Sequence, residues 1–139
     1  MKNEFEQISL KPGFMMHNGG LLFKTINDHE YQFKTIIKEN HLNAAGITHG
    51  GFISAFVDAG AGTAAHRSTN NNPCVTVSLE LKFISAVRLG QELIGNTKIQ
   101  KKTKSMVFLT CELTASNKIV ATASGVWKIL KLSGAGPGG

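Results

Sequence analysis

Alternating apolar and polar residues run along most of the chain and predict β-strands. The alternation is clearest at residues 75–83, where Val75, Val77, Leu79, Leu81 and Phe83 are separated by polar residues. Similar but weaker patterns occupy residues 21–26, 31–38, 91–101, 105–115 and 119–130. Turn residues separate these segments, so the pattern predicts six strands with mostly short connections.

Residues 52–65 interrupt the alternation, because they are apolar on every side and carry one charge, that of Asp58. A surface helix shows one apolar stripe and one polar face, and this segment has no polar face. The sequence therefore predicts a helix that starts at about Gly50 or Gly51, ends near Arg67 and is enclosed by the rest of the protein.

Two features of this helix require a neighbouring group: the charge of Asp58 and the glycines Gly60 and Gly62. A carboxylate in an apolar helix is costly unless it is paired, hydrogen-bonded or protonated, so Asp58 is either satisfied structurally or functional. Ser54 lies four residues before it and shares its side of the helix. Gly60 and Gly62 each cost about 1 kcal/mol relative to alanine in a helix, so either another helix or a ligand is expected to approach closely there.

The order of elements is two strands, one helix and four strands. Short turns make neighbouring strands antiparallel. The predicted fold class is therefore α+β, with a curved antiparallel sheet of about five to six strands wrapped around one central helix. We expect a short helix at residues 5–10, one domain over residues 1–132 and a disordered Gly-rich tail at residues 133–139. The open sheet edge favours a dimer joined edge to edge.

Charge and cysteine content narrow the function classes. The 139-residue chain has a net charge of +6 and a pI of about 9.5, which favours anionic partners. Cys74 and Cys111 lie in separate strand-like segments without metal-type spacing, so neither a disulfide framework nor a metal site is expected. The first residues lack the apolar core of a signal peptide, and the apolar helix is too short to span a membrane, so a cytoplasmic protein without membrane association is expected.

The loop before the helix is suited to binding a carbonyl oxygen. Gly46, Gly50 and Gly51 let the backbone come close to a ligand. The first N–H groups of a helix are free and carry partial positive charge, so they can stabilise an oxyanion. Asp58 lies two turns further along and does not face the same point, unless a second copy of the chain completes the site.

One stretch carries a resemblance to a known family. It is His41-Leu-Asn43-Ala-Ala-Gly-Ile-Thr-His49-Gly50-Gly51, with Asp58 seven residues after the last glycine. It resembles the hotdog-fold acyl-CoA thioesterases of the phenylacetate-pathway (PaaI-like) type, and the similarity covers roughly residues 35–130. The resemblance implies thioester hydrolysis without a metal or other cofactor, in a homodimer or homotetramer whose active site lies at the dimer interface.

The resemblance also implies residue roles. Asp58 would attack the thioester or activate water, and the Gly50 N–H would polarise the thioester carbonyl. Asn43, from the same subunit as Gly50, would position the water or the thioester. His49 would orient its neighbours or contact the substrate near the sulfur, and Thr76 would assist the water. Asp58 would come from the other subunit, which removes the geometric difficulty.

Further residues are expected to contact the acyl-CoA. Coenzyme A carries phosphates, and the residues expected to meet them are Arg88, Lys101, Lys102 and Lys104, with a solvated turn as the alternative for each lysine. The acyl pocket is expected to include Phe52, Phe56, Met15 and Met16, with core packing as the alternative for each. Gly51 and Ser54 complete the expected substrate-binding set.

Three other functions remain as alternatives. The first is a hotdog protein that binds acyl-CoA without hydrolysing it, as a sensor or a carrier-interacting module. A hydratase of the same fold would use a His with an acid in a different motif, and the helix has no His before His66. Nucleic-acid binding is disfavoured because only 7% of residues are aromatic. The acyl group, and the choice between coenzyme A and a carrier protein, stay open.

Overall fold

A computed structural model describes residues 4–131, in which seven antiparallel strands pack around one long helix. The strands are β1 (Glu6–Ile8), β2 (Leu21–Asn27), β3 (Glu30–Ile36), β4 (Cys74–Phe83), β5 (Glu92–Lys102), β6 (Met106–Ala115) and β7 (Lys118–Ile129). The helices are α1 (Phe14–His17) and α2 (Gly50–Ser68), with a short 3-10 turn at Glu39–His41. The strand order β1-β2-β3-β5-β6-β7-β4 gives an open sheet with β1 and β4 at its edges. The predicted α+β fold class and central helix are confirmed.

The sheet has seven strands rather than five to six because residues 6–8 form β1. Glu6 and Ile8 pair with Phe23 and Leu21 of β2, so the short helix predicted for residues 5–10 is wrong. Isolated short helices are marginal in water, whereas the edge of β2 offers unpaired backbone groups to this segment. The tail predicted to be disordered, residues 133–139, lies outside the described residues.

Aromatic rings from the sheet fill the space beside the helix glycines. A Cβ atom on Gly60 would lie 2.2 Å from the Phe33 ring, and one on Gly62 would lie 3.2 Å from Nε1 of Trp127. The Phe33 ring also occupies the space beside Gly95 of β5. The close approach predicted at Gly60 and Gly62 is therefore confirmed, but it comes from the sheet rather than from a second helix or a ligand.

Strand β4 contains a bulge that changes which side chains face the helix. Thr76 pairs with Trp127 and Ser78 with Val126, so Val77 has no partner on β7. Residues on either side of a bulge are out of phase, and Thr76 therefore shares the helix side with Leu79. The sequence predicted that Val75 and Val77 share one apolar face with Leu79, Leu81 and Phe83. This prediction is wrong for the residues at and before the bulge, where Val75 and Val77 are 45% and 55% exposed.

One side of α2 is open in the single chain. Gly51 and Asp58 are exposed, and Ser54 and Gly62 are half-buried. Packing against the sheet buries the opposite side, including Phe56, Val57, Ala61, Ala64 and Ala65. The prediction that α2 is enclosed on every side is therefore wrong for one chain. No helix in residues 4–131 is long and apolar enough to cross a membrane.

Candidate active site

The first turn of α2 leaves the Gly50 N–H available. His49 caps the helix, and its Nδ1 accepts a hydrogen bond from the Gly51 N–H at 2.7 Å. The N–H groups of Phe52 and Ile53 donate to the His49 carbonyl at 3.0 and 3.1 Å. Gly50 makes no N–H hydrogen bond to any residue that the structure describes. Of the two glycines, Gly50 therefore offers a free donor at the positive end of the helix dipole, whereas Gly51 is engaged by His49.

Asn43 is held so that only its amide nitrogen is free. Its Oδ1 accepts hydrogen bonds from the N–H of Ala45 at 2.9 Å and of Ile47 at 3.2 Å. Two N–H donors at one atom identify that atom as the oxygen. The Nδ2 amide has no partner within residues 4–131. Asn43 can therefore donate a hydrogen bond to a carbonyl oxygen or to water.

Asn43 and Gly50 line one surface depression of about 350 Å³. The Phe83 ring covers Gly50, at 3.5 Å from the position that a Cβ there would take. The apolar part of the wall consists of Ile47, Ile53, Phe83, Ile84, Ala86 and Val87. Free N–H donors beside an apolar wall suit a carbonyl group attached to an apolar chain. The sequence interpretation missed Phe83, because its alternation with Leu81 indicates only a strand residue and not its contact with Gly50.

Asp58 and Thr76 form a second polar pair. The Thr76 hydroxyl donates a hydrogen bond to Oδ1 of Asp58 at 2.6 Å. The bulge at Val77 is what turns Thr76 towards α2. Oδ2 of Asp58 has no partner among the described residues, and both side chains are exposed in the single chain. A carboxylate with one oxygen fixed and the other free can accept a proton from water or attack an electrophile.

These two groups do not meet within one chain. Asp58 lies eight residues after Gly50 on α2, a separation of about 12 Å along the helix axis at 1.5 Å per residue. Gly50 and Asn43 form one half of a possible site, and Asp58 and Thr76 form the other.

Three other predicted substrate contacts are engaged within the chain. The Ser54 hydroxyl donates to the Gly50 carbonyl at 2.9 Å. The Phe52 ring is buried and stacks on His41, with centroids 3.8 Å apart. Phe56 is fully buried and contacts Phe33. The alternative of core packing describes both phenylalanines.

The basic residues do not form the single cluster that the sequence suggested. Arg88 precedes β5, whereas Lys101 and Lys102 end it, and this strand of 11 residues is roughly 35 Å long. Nζ of Lys102 donates to the Ser68 carbonyl at 2.7 Å, at the far end of α2. A cation there stabilises the helix dipole. Lys101 and Lys104 are exposed near that end. Of these four predicted phosphate contacts, Arg88 alone lies at the end of the sheet that holds Val87 and the depression.

Met15 and Met16 also lie away from the depression. They line a cavity of about 750 Å³ together with Ile8, His66 and Arg67, at the C-terminal end of α2. Because Gly50 begins this 19-residue helix, the cavity and the depression lie at opposite ends of α2.

Comparison with known proteins identifies the class. A family model described as the thioesterase superfamily matches residues 45–122, more than half of the chain. The chain belongs to this superfamily and is therefore classed as a thioester hydrolase. A Pseudomonas aeruginosa protein provisionally named an esterase is 37% identical over 94 residues, 67% of this chain and 70% of that protein. Human acyl-coenzyme A thioesterase 13 is 29% identical over 87 residues, which are 61% of this chain and 62% of the human protein.

Solved structures share the fold. Zebra fish thioesterase superfamily member 2 has a TM-score of 0.79 at 21% identity, over 87% of this chain and 89% of that chain. A single-residue mutant of the phenylacetic acid degradation protein PaaI of Thermus thermophilus has a TM-score of 0.75 at 21% identity, over 83% and 97%. A Streptococcus mutans protein bound to acetyl CoA has a TM-score of 0.75 at 17% identity, over 89% and 96%. These matches confirm the predicted resemblance to hotdog-fold thioesterases.

Proposed function

We propose that this protein hydrolyses a small aromatic or a short- or medium-chain acyl-CoA to the free acid and coenzyme A. The observation that carries the proposal is the pair of half-sites on α2. Gly50 and Asn43 offer free N–H donors beside an apolar depression, and Asp58 and Thr76 offer a fixed carboxylate. A thioester needs both kinds of group for hydrolysis.

In this mechanism the Gly50 N–H and the Asn43 amide donate hydrogen bonds to the thioester carbonyl or to the attacking water. Such donors stabilise the oxyanion that forms during acyl transfer. Asp58 acts as the base or as the nucleophile, and Thr76 holds the carboxylate in place. His49 fixes the first turn of α2 through its bond to Gly51. The departing thiolate is a good leaving group and needs little help from an acid.

The half-sites are joined by a second copy of the chain. Strand β4 is an edge of the sheet, and its outer side pairs with no described strand. Val75, Val77 and Phe83 are exposed on it, and an unpaired edge of ten residues that exposes apolar side chains is an association hazard unless it is covered. A two-fold pairing of β4 would cover this edge and the open side of α2 at the same time. Asp58 and Thr76 of one subunit then face Asn43 and Gly50 of the other.

The relatives support coenzyme A as the carrier. One of them is named an acyl-coenzyme A thioesterase, and one structural neighbour binds acetyl CoA. The net charge of +6 suits a substrate with several phosphates. Arg88, close to the depression, is the cation best placed within one chain to meet them.

Free-thiol release from a panel of aromatic and aliphatic acyl-CoA esters tests the activity. The matched variant is Asp58→Asn, because its amide oxygen can still accept the Thr76 hydrogen bond while the base is lost. We expect turnover to fall by about 10³-fold, within the usual range for a lost general base. Equal turnover by wild type and variant would exclude this role of Asp58. Binding of the esters without thiol release would point to a non-catalytic acyl-CoA-binding protein.

Mixing two inactive variants tests the shared site. In a mixed dimer of Asp58→Asn and Asn43→Ala, one of the two sites contains both native residues and the other contains neither. Random co-assembly at equal amounts should restore about a quarter of wild-type activity, because half of the dimers carry one intact site. If each chain held a complete site, the mixture would remain inactive.

A further inference from the structure

We infer that His41 is a positioning residue that holds the loop carrying Asn43 and Gly50 in its active geometry. This inference rests on the proposed function. His41 is only 1% exposed, although it is an ionisable residue at the end of a single 3-10 turn. Its position in the sequence gives no indication of this burial, and the function proposed above does not use its side chain.

Both ring nitrogens of His41 bond to backbone groups of other segments. Nδ1 accepts from the Lys38 N–H at 3.0 Å, and Nε2 lies 2.8 Å from the Asn18 carbonyl. A carbonyl can only accept, so Nε2 carries the proton and the ring is the neutral tautomer. The ring therefore joins the end of β3 to the turn that follows α1.

The same residue is tied to the first turn of α2. Its carbonyl accepts from the His49 N–H at 2.8 Å. Its ring stacks on Phe52 with an interplanar angle of 12°. The loop between these contacts is closed by the Asn43 N–H, which donates to the Ile47 carbonyl at 2.7 Å.

These contacts connect His41 to both residues of the half-site. Asn43 lies two residues after His41. Gly50 directly follows His49, whose N–H donates to the His41 carbonyl. A side chain at position 41 that keeps the stacking but loses both nitrogen bonds would leave the Lys38 N–H and the Asn18 carbonyl without this partner. The loop would then shift, and a displacement of about 1 Å at a catalytic group can lower the rate by 10²-fold.

The test compares His41→Phe, His41→Gln and Phe23→Leu with wild type. Phenylalanine keeps an aromatic ring against Phe52, and glutamine restores an N–H donor for the Asn18 carbonyl. Phe23→Leu removes buried volume beside Arg67, at the other end of α2, and serves as a stability control. Each variant is assayed for kcat, KM and thermal unfolding.

We expect His41→Phe to lower kcat by about 10- to 100-fold with KM changed less than about threefold. His41→Gln should recover part of the loss, and Phe23→Leu should lower the melting temperature while kcat stays near wild type. A folded His41→Phe protein with wild-type kcat would overturn the inference. So would a kcat loss of the same size in Phe23→Leu.

Amide hydrogen exchange separates this inference from the proposed function. Peptides covering residues 42–50 should exchange faster in His41→Phe than in wild type, while peptides from β6 remain unchanged. If wild type hydrolyses no ester, the proposed function fails, and the exchange rates alone decide the role of His41. Unchanged exchange over residues 42–50 would overturn it. Should His41→Phe not fold, His41→Gln carries the same comparison.

Discussion

The Thr76 hydroxyl donates a 2.6 Å hydrogen bond to one carboxylate oxygen of Asp58, from the edge strand β4 to helix α2. The contact lies within one chain, so it holds the carboxylate in place without a second subunit. It leaves the other oxygen of Asp58 free for chemistry.

Replacing Thr76 by valine should lower thioester turnover by about 10- to 100-fold. Valine has nearly the shape of threonine but no hydroxyl, and a hydrogen bond to a charged group contributes about 1.5–3 kcal/mol. Thr76→Ser keeps the hydroxyl and should retain most of the activity. Steady-state kinetics of both variants checks this, and equal rates for valine and serine would contradict the role of the hydroxyl.

Asn43→Asp should be nearly as inactive as Asn43→Ala, although it is closer in shape to wild type. Aspartate keeps an oxygen for the N–H groups of Ala45 and Ile47, so the loop remains closed. It lacks the free amide donor, and loss of one oxyanion donor lowers turnover by roughly 10²–10³-fold. Measurements of kcat and thermal unfolding on both variants distinguish the two effects. High activity in Asn43→Asp would assign the function of Asn43 to its oxygen instead.

The sequence predicted most of the fold because its strong signals are local. Hydrophobic periodicity located six of the seven strands, and the apolar run located α2 at Gly50–Ser68. The motif from His41 to Gly51 also indicated Asn43 and Gly50, which lie in one depression. Strand β1 was missed, since its three residues are defined by pairing with β2 rather than by a pattern of their own.

The details of the site were harder to predict because they depend on tertiary contacts. Alternation cannot reveal the bulge at Val77, which brings Thr76 to Asp58. The charge of Lys102 predicts a contact with a phosphate. Because Lys102 lies beside the end of α2, its Nζ instead donates a hydrogen bond to the Ser68 carbonyl. Phe83 reaches Gly50 only because β4 packs on the first turn of the helix.

Gly60→Ala should destabilise the protein although alanine is the better helix former. The new methyl would lie 2.2 Å from the Phe33 ring, which Gly95 confines on another side. Overpacking of this kind typically costs about 1–3 kcal/mol and opposes a helix gain of about 1 kcal/mol. Denaturant unfolding measures the net change in the free energy of unfolding, and an increase would contradict the close packing.

A double variant provides the control for this packing. Phe33→Leu makes room beside residue 60, so the combined loss in Gly60→Ala/Phe33→Leu should be smaller than the sum of the two single losses. Strict additivity would show that Gly60 and Phe33 do not restrict each other.

Cys111 should make the stability of the protein fall at high pH. Burial raises the pKa of its thiol from 9.0 to about 11. The unfolded chain loses this proton at lower pH than the folded chain, so the stabilising contribution is complete below pH 9 and is lost as the pH rises to 11. The loss is on the order of 2 kcal/mol.

Unfolding free energies at pH 8 and pH 10.5 test this for wild type and Cys111→Ala. Alanine has no proton to lose, so the difference between the two proteins should narrow or reverse as the pH rises. An equal pH dependence in both would show that the thiol is not responsible.

The bulge at Val77 also has an evolutionary consequence. A related chain with the same β4 pairing but without the bulge would present to α2 the residue that aligns with Val77, because a regular strand alternates backwards from Leu79. A threonine aligned with Thr76 would then face the opposite surface of the sheet, away from Asp58, unless the alignment places a gap at Val77. Whether a related gene keeps this hydroxyl is therefore decided by a gap of one position in an alignment as much as by the residue found there.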